Sequence, residues 1–264
     1  MRFKFLTYNT CFNHGFFDID KIIKKYKPDI ICLQEVDTDI ENLKKIEKFG
    51  YLLADFANSF IKKGKIFGIA TFYNPKRFMV VNSDFIFLPK VFNQIISSFF
   101  NLIAKIKERR TVLESVFYDI LNKRKIEVYN NHFPVFTTNG EKLRALKSLF
   151  EYYQIKRKKH VIITGDFNYL PYGRKSLEKL IFQYGLKEGT KNINYTIIYS
   201  LKNKKIAKTY PTIARFLTKI FSLFFTDRLK IDYTFYKGFK LIESKRIEVE
   251  FSDHYPIISI FDYE

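Results

Sequence analysis

An aspartate beside a histidine near the C-terminus is the most informative pair of residues in this chain. Asp253 and His254 place an acid next to an imidazole, and the whole chain holds only four histidines. Three earlier segments carry groups of matching chemistry, which are Glu35, His132 and Asp166. Carboxylates and imidazoles can bind a metal ion or transfer protons, so these segments predict a site that binds a metal and activates water.

Each of the three earlier groups follows an apolar stretch rich in Ile and Val. Residues 28–33 precede the glutamate, 126–129 precede the histidine and 160–164 precede the aspartate, and all three stretches predict central strands. Residues 229–236 alternate in polarity and predict a fourth strand with one face in the core, which contains Asp232. Functional groups gather at strand ends because a rigid sheet positions them.

Three candidate residues offer hard oxygen ligands. Glu35, Asp253 and Asn9, which follows the strand-like residues 3–8, are of the types that Mg²⁺ prefers. Such a site would clamp a phosphate, and Mn²⁺ could substitute for Mg²⁺.

The other candidates suit proton transfer. Asp166, His132 and His254 could move protons or orient a water, since an imidazole with a pKa of about 6.5 does this well near neutral pH. The sequence has no serine or cysteine motif for a covalent route. Taken singly, each candidate could be a turn residue, a solvated acid or a partly buried histidine, and only the ordered set favours catalysis.

The ordered set resembles the endonuclease/exonuclease/phosphatase superfamily, whose members include DNase I-like nucleases, inositol polyphosphate phosphatases and neutral sphingomyelinases. One short motif would be weak evidence, whereas six in the family's order are strong. The six are Asn9, Leu33-Gln34-Glu35, Asn130-Asn131-His132, Gly165-Asp166-Phe167-Asn168, Ile231-Asp232-Tyr233 and Ser252-Asp253-His254.

The resemblance implies a metal-dependent attack of water on a phosphodiester, with an endonuclease-like activity. Glu35 would hold the catalytic Mg²⁺ with Asn9 nearby, and Asp253 would support the metal or the adjacent histidine. Neutralisation of phosphoryl charge by a metal and imidazoles is what phosphoryl transfer requires.

The resemblance also implies roles on the proton-transfer side of the site. Asp166 and Asn168 would align the water and a phosphate oxygen, while His132 and His254 would contact the phosphoryl group. Asp232 would orient His254. The general base stays open between Asp166 and His254.

The chain departs from the family pattern in two places. The family commonly has an arginine two residues before the aspartate of the fifth motif, and Lys230 stands there, which keeps the charge but loses the planar fork. The Asn-x-Tyr-x-Pro-Asn pattern of abasic-site endonucleases is missing, which disfavours that subgroup.

The implied fold class is α/β, with two packed mixed β-sheets flanked by helices in a four-layer α/β/β/α sandwich of the DNase I-like kind. At 264 residues the chain can bury a large core, and we expect one domain over residues 1–264. Segments around 85–110 and 187–226 are less typical of the family. Helices are predicted at residues 20–26, 141–154 and 176–184.

Cysteine usage and the N-terminus predict a cytoplasmic protein, and a peripheral position at the membrane is the alternative. Cys11 and Cys32, both in predicted strands, are interpreted as structural, and no secretory apolar stretch follows Met1. The longest uncharged run, residues 91–104, has 14 residues, fewer than the ~18 needed to cross a bilayer. We expect a monomer without a transmembrane segment.

A formal net charge of +19 predicts a polyanionic partner, with nucleic acid as the first candidate. An A+T-rich genome would load a chain with Lys, Ile, Phe, Asn and Tyr regardless of partner, so charge alone does not decide. The basic residues cluster at 62–65, 123–125, 156–159 and 202–205.

Two apolar stripes at helical spacing favour a different substrate if they are exposed. Helices that are apolar on one side and basic on the other can lie at a bilayer surface and would bring a lipid phosphodiester to the site. The same stripes could instead pack on a sheet as core. They fall within residues 92–106 and 213–225.

Arg109 and Arg110 follow the first stripe and could grip a substrate phosphate, or could simply end a helix with favourable dipole charge. Three hypotheses result: a nuclease-like phosphodiesterase, the same chemistry on a phospholipid, sphingolipid or inositol phosphate, and a non-catalytic binding module. The intact motif set argues against the third.

Overall fold

The computed structural model of the chain describes residues 1–62, 64–87, 107–108, 111–135, 137–198 and 228–264. Within these residues the strands form two large mixed sheets and one short ribbon. The first sheet has the order β14-β15-β1-β2-β4-β3-β6, with β1 (Phe3–Asn9), β2 (Ile30–Asp37), β3 (Leu52–Lys62), β4 (Lys65–Tyr73), β6 (Lys107–Glu108), β14 (Phe239–Arg246) and β15 (Ile257–Tyr263).

The second sheet and the ribbon complete the described strands. The ribbon pairs β11 (Ile197–Ile198) with β12 (Arg228–Leu229). The second sheet has the order β10-β13-β9-β8-β7-β5, with β5 (Phe78–Phe87), β7 (Thr111–Asp119), β8 (Arg124–His132), β9 (Val161–Asp166), β10 (Lys187–Glu188) and β13 (Asp232–Lys237).

Helices begin where the sequence supplies capping groups. In α2 (Ile40–Glu47) the Asp39 carboxylate accepts hydrogen bonds from two backbone N–H groups of the first turn. In α3 (Asn139–Tyr152) Thr138 and Glu141 form a capping box, each side chain accepting from the other's backbone N–H. The remaining helices are α1 (Phe16–Tyr26) and α4 (Arg174–Gln183), with 3-10 turns at Ile155–Arg157 and Pro171–Gly173.

Three large apolar clusters and one small one, Ala57 with Ile69 and Leu113, hold the layers together, and burial of each large side chain contributes about 2 kcal/mol. The inner faces of the two sheets meet through residues such as Phe5, Ile30, Phe117, Val128 and Ile162. Helices α1 and α2 cover the outer face of the first sheet, and α3 and α4 cover that of the second. The predicted four-layer α/β/β/α sandwich is therefore confirmed.

Most predicted elements are confirmed, with two corrections. Residues 229–236 do not form one strand: Leu229 ends the ribbon and Asp232 begins β13, because the N–H groups of Ile231 and Asp232 donate to Thr196 Oγ1 instead of to a neighbouring strand. Cys11 is not in a strand but in a turn whose residues have positive φ, while Cys32 lies in β2 as expected.

Asp119, which is fully buried at the end of β7, joins the β7–β8 turn of the second sheet to β15 of the first sheet and to the loop between β4 and β5. Its carboxylate accepts from Tyr263 Oη at 2.9 Å and from Asn122 Nδ2 at 2.8 Å, and it lies 3.3 Å from Arg77 Nη2. Burial raises the pKa of Asp119, but the hydrogen bonds from Asn122 and the charge of Arg77 outweigh burial and lower it.

Replacement of Asp119 by alanine is expected to lower the free energy of unfolding by about 3 kcal/mol, because it removes one of the two carboxylates beside the buried Arg77 guanidinium and also the acceptor of the Tyr263 hydroxyl. Urea titrations at pH 7 measure this loss. A lowered pKa means that the carboxylate stabilises the fold above the ordinary aspartate value of about 3.9, and that this contribution disappears as the pH falls through the folded value. The difference in unfolding free energy between wild type and variant should therefore become smaller toward pH 3. A difference that stays constant with pH would contradict the lowered pKa of Asp119.

Candidate active site

Strand register brings the predicted site residues to one end of the sandwich. In the parallel pair β8 and β9, His132 lies opposite Asp166, and in the antiparallel pair β9 and β13, Asp166 lies opposite Asp232. In the parallel pair β1 and β2, Asn9 lies opposite Gln34, next to Glu35. The carboxyl ends of β1, β2, β8 and β9 therefore supply the site together with the first residue of β13.

Glu35 reaches the site through a β-bulge. The pairing of β2 with β4 shifts register between Gln34 and Val36, and Glu35 has a φ of 53°. A bulge re-aims one side chain without disturbing the rest of the strand, and a non-glycine residue at positive φ stores strain that marks functional sites. The Glu35 carboxylate is held by the Phe12 backbone N–H, 3.1 Å from Oε2.

Gly165 allows β8 and β9 to approach closely enough for this cluster. Its φ is 130°, and a Cβ at this position would lie 2.0 Å from the Asn131 carbonyl oxygen. The close approach of β8 and β9 beside His132 and Asp166 therefore requires a glycine at the first position of the Gly-Asp-Phe-Asn motif.

Replacement of Gly165 by alanine is expected to cost about 3 kcal/mol or more, since backbone strain adds to a clash that only strand movement can relieve. The measurement is the urea midpoint of the variant against wild type. Gly50→Ala is the matched control: Gly50 also has positive φ, 85°, but no atom lies within 4 Å of the added Cβ. The control should lose only about 1 to 2 kcal/mol, and equal losses in both variants would refute the close-approach argument.

Asp166 is the centre of the cluster. Its Oδ2 accepts from Asn9 Nδ2 at 3.0 Å and lies 3.8 Å from the Nε2 atoms of both His132 and His254. Its Oδ1 accepts from the Asn168 backbone N–H at 2.8 Å. One carboxylate oxygen thus faces two imidazoles and an amide, all of them buried.

Asn9 and His132 connect Asp166 to the glutamate. Asn9 Nδ2 donates to Glu35 Oε1 at 3.3 Å, and His132 Nε2 lies 3.5 Å from the same oxygen. The Asn9 side-chain oxygen accepts from the Cys11 backbone N–H. Asn9 therefore presents its amide nitrogen to both carboxylates.

His254 and Asp232 form a buried pair beside the cluster. The His254 Nδ1 lies 2.9 and 3.1 Å from the two Asp232 carboxylate oxygens, which leaves Nε2 directed at Asp166. This is the arrangement in which a carboxylate fixes the orientation and proton of an imidazole.

The charges of these neighbours shift the pKa values. Burial opposes ionisation of Glu35, but the hydrogen bond and charge of His132 and the charges of His254 and Lys62 lower its pKa to about 2. Burial and the charge of Asp232 raise the pKa of Asp166, against the opposing effect of the two histidines. Burial would lower the pKa of His254, but the charge and hydrogen bond of Asp232 raise it well above the usual value.

Two groups of described residues have the composition and spacing to hold a metal ion. They are Glu35 with His132 and Asp166, and Asp166 with Asp232 and His254, with ligand atoms within 4.8 Å of one another in each group. The ionised Glu35 carboxylate, partly open to solvent, together with the Asp166 carboxylate suits a hard divalent cation such as Mg²⁺. The chemistry of these side chains is therefore compatible with the predicted Mg²⁺.

The structure also describes two other predicted site residues, Asn168 and Asp253. Asn168 donates its side-chain N–H to the Phe133 carbonyl at 2.8 Å and has a φ of 48°, which holds it beside Asp166. Asp253 belongs to neither candidate metal group among the described residues; it lies beside Cys11, whose thiol pKa is raised by burial and by the charges of Asp253 and Glu35.

Two further predictions concern basic residues. Arg109 and Arg110 lie outside the described residues, as do the two apolar stripes. Lys230, which replaces the family's arginine, is largely buried, with Nζ 2.6 Å from Glu188 Oε1 and bonded to the Thr190 carbonyl. The lysine therefore ties β10 to the loop before β13 and does not face the cluster.

Sequence reasoning missed the residues that support the site. Ser252 Oγ donates to the Asn9 carbonyl and accepts from the His254 backbone N–H, so it joins two site segments. Gln34 Nε2 donates to Asn130 Oδ1 at 2.7 Å, across the interior between the two sheets. Ser252 and Gln34 both lie within the six motifs identified in the sequence. A polar residue at a buried position needs a hydrogen-bond partner, and this could have indicated their supporting role.

The chain belongs to the endonuclease/exonuclease/phosphatase family, whose family model matches residues 6–254. This confirms the resemblance and places the chain among hydrolytic phosphoesterases. No curated protein matches the chain in sequence.

Solved structures of the family share the fold. The catalytic domain of human Nocturnin with a bound sulfate anion has a TM-score of 0.72 at 17% identity, over 100% of this chain and 95% of that one. TDP2 of D. rerio complexed with single strand DNA product has a TM-score of 0.67 at 14% identity, over 99% of each chain. A mannosyl-6-phosphatase of Bacteroides thetaiotaomicron has a TM-score of 0.66 at 17% identity, over 99% of this chain and 100% of that one.

No helix in the described part of the chain is both long and apolar enough to span a bilayer.

Proposed function

We propose that this chain is a Mg²⁺-dependent phosphodiesterase that cleaves nucleic acid as an endonuclease. The observation that carries the proposal is the convergence on Asp166 Oδ2 of two imidazole nitrogens and the Asn9 amide, next to an ionised Glu35. A buried cluster of this kind can orient a water and stabilise charge on a phosphoryl group.

Each side chain has a distinct role in the proposed reaction. Asp166 orients the attacking water and accepts its proton, since its Oδ2 faces the point where the other groups meet. His132 and His254 donate hydrogen bonds from Nε2 to the phosphoryl oxygens, and Asp232 keeps the Nδ1 proton of His254 in place. Asn168, fixed by Phe133, contacts a further phosphate oxygen.

The metal would be held by Glu35, with Asp166 and Asn9 beside it. Mg²⁺ bound there would neutralise charge on the scissile phosphate and its leaving oxygen. Asn9 acts as a positioning residue in this proposal, because its amide nitrogen bonds both carboxylates. A role for Asp253 as a metal ligand stays a prediction.

Nucleic acid is the proposed substrate because the chain carries a net charge of +19 and because one solved structure of the same fold, TDP2, holds a DNA product. The phosphatase of the same fold makes phosphomonoesters the alternative outcome. We also propose a cytoplasmic monomer, in keeping with two buried free cysteines.

The test is nicking of supercoiled plasmid by purified protein with Mg²⁺, beside an EDTA control and a His254→Ala variant whose folding is checked by circular dichroism. Nicking that disappears in both controls supports the proposal. Release of phosphate from a sugar phosphate without any nicking would replace the nuclease by a phosphatase. Full nicking by the folded His254→Ala variant would overturn the catalytic assignment.

A further inference from the structure

A groove of about 370 Å³ opens at the end of the second sheet opposite to the catalytic cluster. Its lining consists of residues 123–125, Glu127 and residues 157–160. The first stretch forms the end of the β7–β8 turn and the start of β8, and the second leads into β9. Parallel pairing of β8 with β9 sets Glu127 opposite Val161, which brings the two stretches together.

The groove is strongly cationic. Of its six lysine and arginine side chains, Lys158 is paired with Glu127, at 2.7 Å. Within the described part of the chain no carboxylate forms an ion pair with the other five, all of which are exposed. These five are Lys123, Arg124, Lys125, Arg157 and Lys159.

The groove and the catalytic cluster lie at opposite ends of the same two strands. Strand β8 runs from Arg124 at the groove to His132 at the cluster, and eight steps of about 3.3 Å separate them by roughly 26 Å. A ligand in the groove would therefore not occupy the catalytic cluster.

We propose that this groove binds the sugar–phosphate backbone of a nucleic acid strand, as a second site apart from the catalytic cluster. Five cations on two segments suit a run of regularly spaced phosphates, which attract such a track electrostatically. The lining has no aliphatic residue that could form the apolar wall needed by an acyl chain or a drug-like molecule. The inference goes beyond the proposed reaction, since binding here requires neither the metal nor the catalytic residues.

The test measures binding of a fluorescent single-stranded oligonucleotide of about 20 nucleotides by anisotropy, in EDTA, over a salt series from about 50 to 200 mM. The variant is the triple substitution Lys125→Gln, Arg157→Gln and Lys159→Gln. The matched control removes the same charge from exposed lysines of the other outer layer, with Lys44→Gln, Lys45→Gln and Lys48→Gln.

We expect the groove variant to bind at least about 10-fold more weakly at the lowest salt, with a log–log salt slope smaller by about 2, because three phosphate contacts are lost. The control should bind as wild type does, and both variants should hydrolyse bis(p-nitrophenyl) phosphate at the wild-type rate. Unchanged affinity and slope in the groove variant, an equal loss in the control, or no oligonucleotide binding by wild type would each overturn the proposal.

Two further measurements distinguish this proposal from a lipid-binding groove and from the proposed phosphodiesterase reaction. If vesicles containing anionic phospholipid lose binding in the groove variant while the oligonucleotide does not, the groove is a lipid site and the proposal is wrong. If wild type hydrolyses no phosphodiester but the groove variant still loses oligonucleotide affinity, the proposed reaction fails and the groove assignment stands.

Discussion

Replacement of Glu35 by glutamine is expected to lower kcat by about 10³-fold, because it removes the ionised carboxylate that is proposed to hold the metal. A metal acting on a phosphoryl oxygen supplies several kcal/mol, and about 4 kcal/mol corresponds to a factor of about 10³. The Glu35 pKa near 2 means that the full charge is present at neutral pH and is lost in the variant. Glutamine keeps the shape and can still accept from the Phe12 N–H, so the fold should persist.

Titration calorimetry with Mg²⁺ and Mn²⁺ checks the cause, because the variant should lose measurable binding of both ions. Glu114→Gln is the matched control: Glu114 is another largely buried glutamate, and it accepts from Tyr129 Oη at 2.9 Å. The control should bind metal and turn over as wild type does. If Glu35→Gln kept its metal affinity and rate, the metal would have to be held elsewhere in the chain.

The elements that carry the site could be predicted from the sequence because each motif follows an apolar stretch. Stretches ending before Glu35, His132 and Asp166 became the central strands β2, β8 and β9, and family order then indicated which ends must meet. The fold keeps these motifs in the same order along the chain in each member of the family. This constant order made the class of protein predictable from the sequence.

The local geometry could not be predicted, because it depends on contacts between distant segments. The bulge at Glu35 results from pairing with β4, and the break before Asp232 results from the hydroxyl of Thr196. Neither contact has a signature in its own segment. Asp253 shows the same limit, since its neighbour Cys11 lies in a turn that was predicted as a strand.

The basic groove shows how the pairing of strands brings separate basic clusters of the sequence together in one place. Residues 123–125 and 156–159 were separate clusters in the sequence, where each could have been a solvated surface. Parallel strands start at the same edge, so the pairing of β8 with β9 joins the two clusters at one end and sets His132 opposite Asp166 at the other.

Replacement of Asp232 by asparagine is expected to lower kcat by about 10³-fold with little change in KM. The carboxylate fixes the Nδ1 proton of His254, and an asparagine could donate to Nδ1 and stabilise the wrong tautomer, an effect that costs about 10⁴-fold in a serine protease triad. Asp232 acts here through His254 and is a positioning residue.

A double-mutant cycle distinguishes positioning from general support of the fold. His254→Gln should lose about as much rate as Asp232→Asn, and the double variant should lose no more than the worse single variant, because groups that act as a unit are not additive. Because Asp232 raises the His254 pKa, imidazole resonances should report a lower pKa for His254 in Asp232→Asn than in wild type, and circular dichroism should show that the variant is folded. Multiplied losses in the double variant would mean that the two residues act independently, and the contact between Nδ1 and the carboxylate would then serve only the packing of the loop at residues 252–256 against β13.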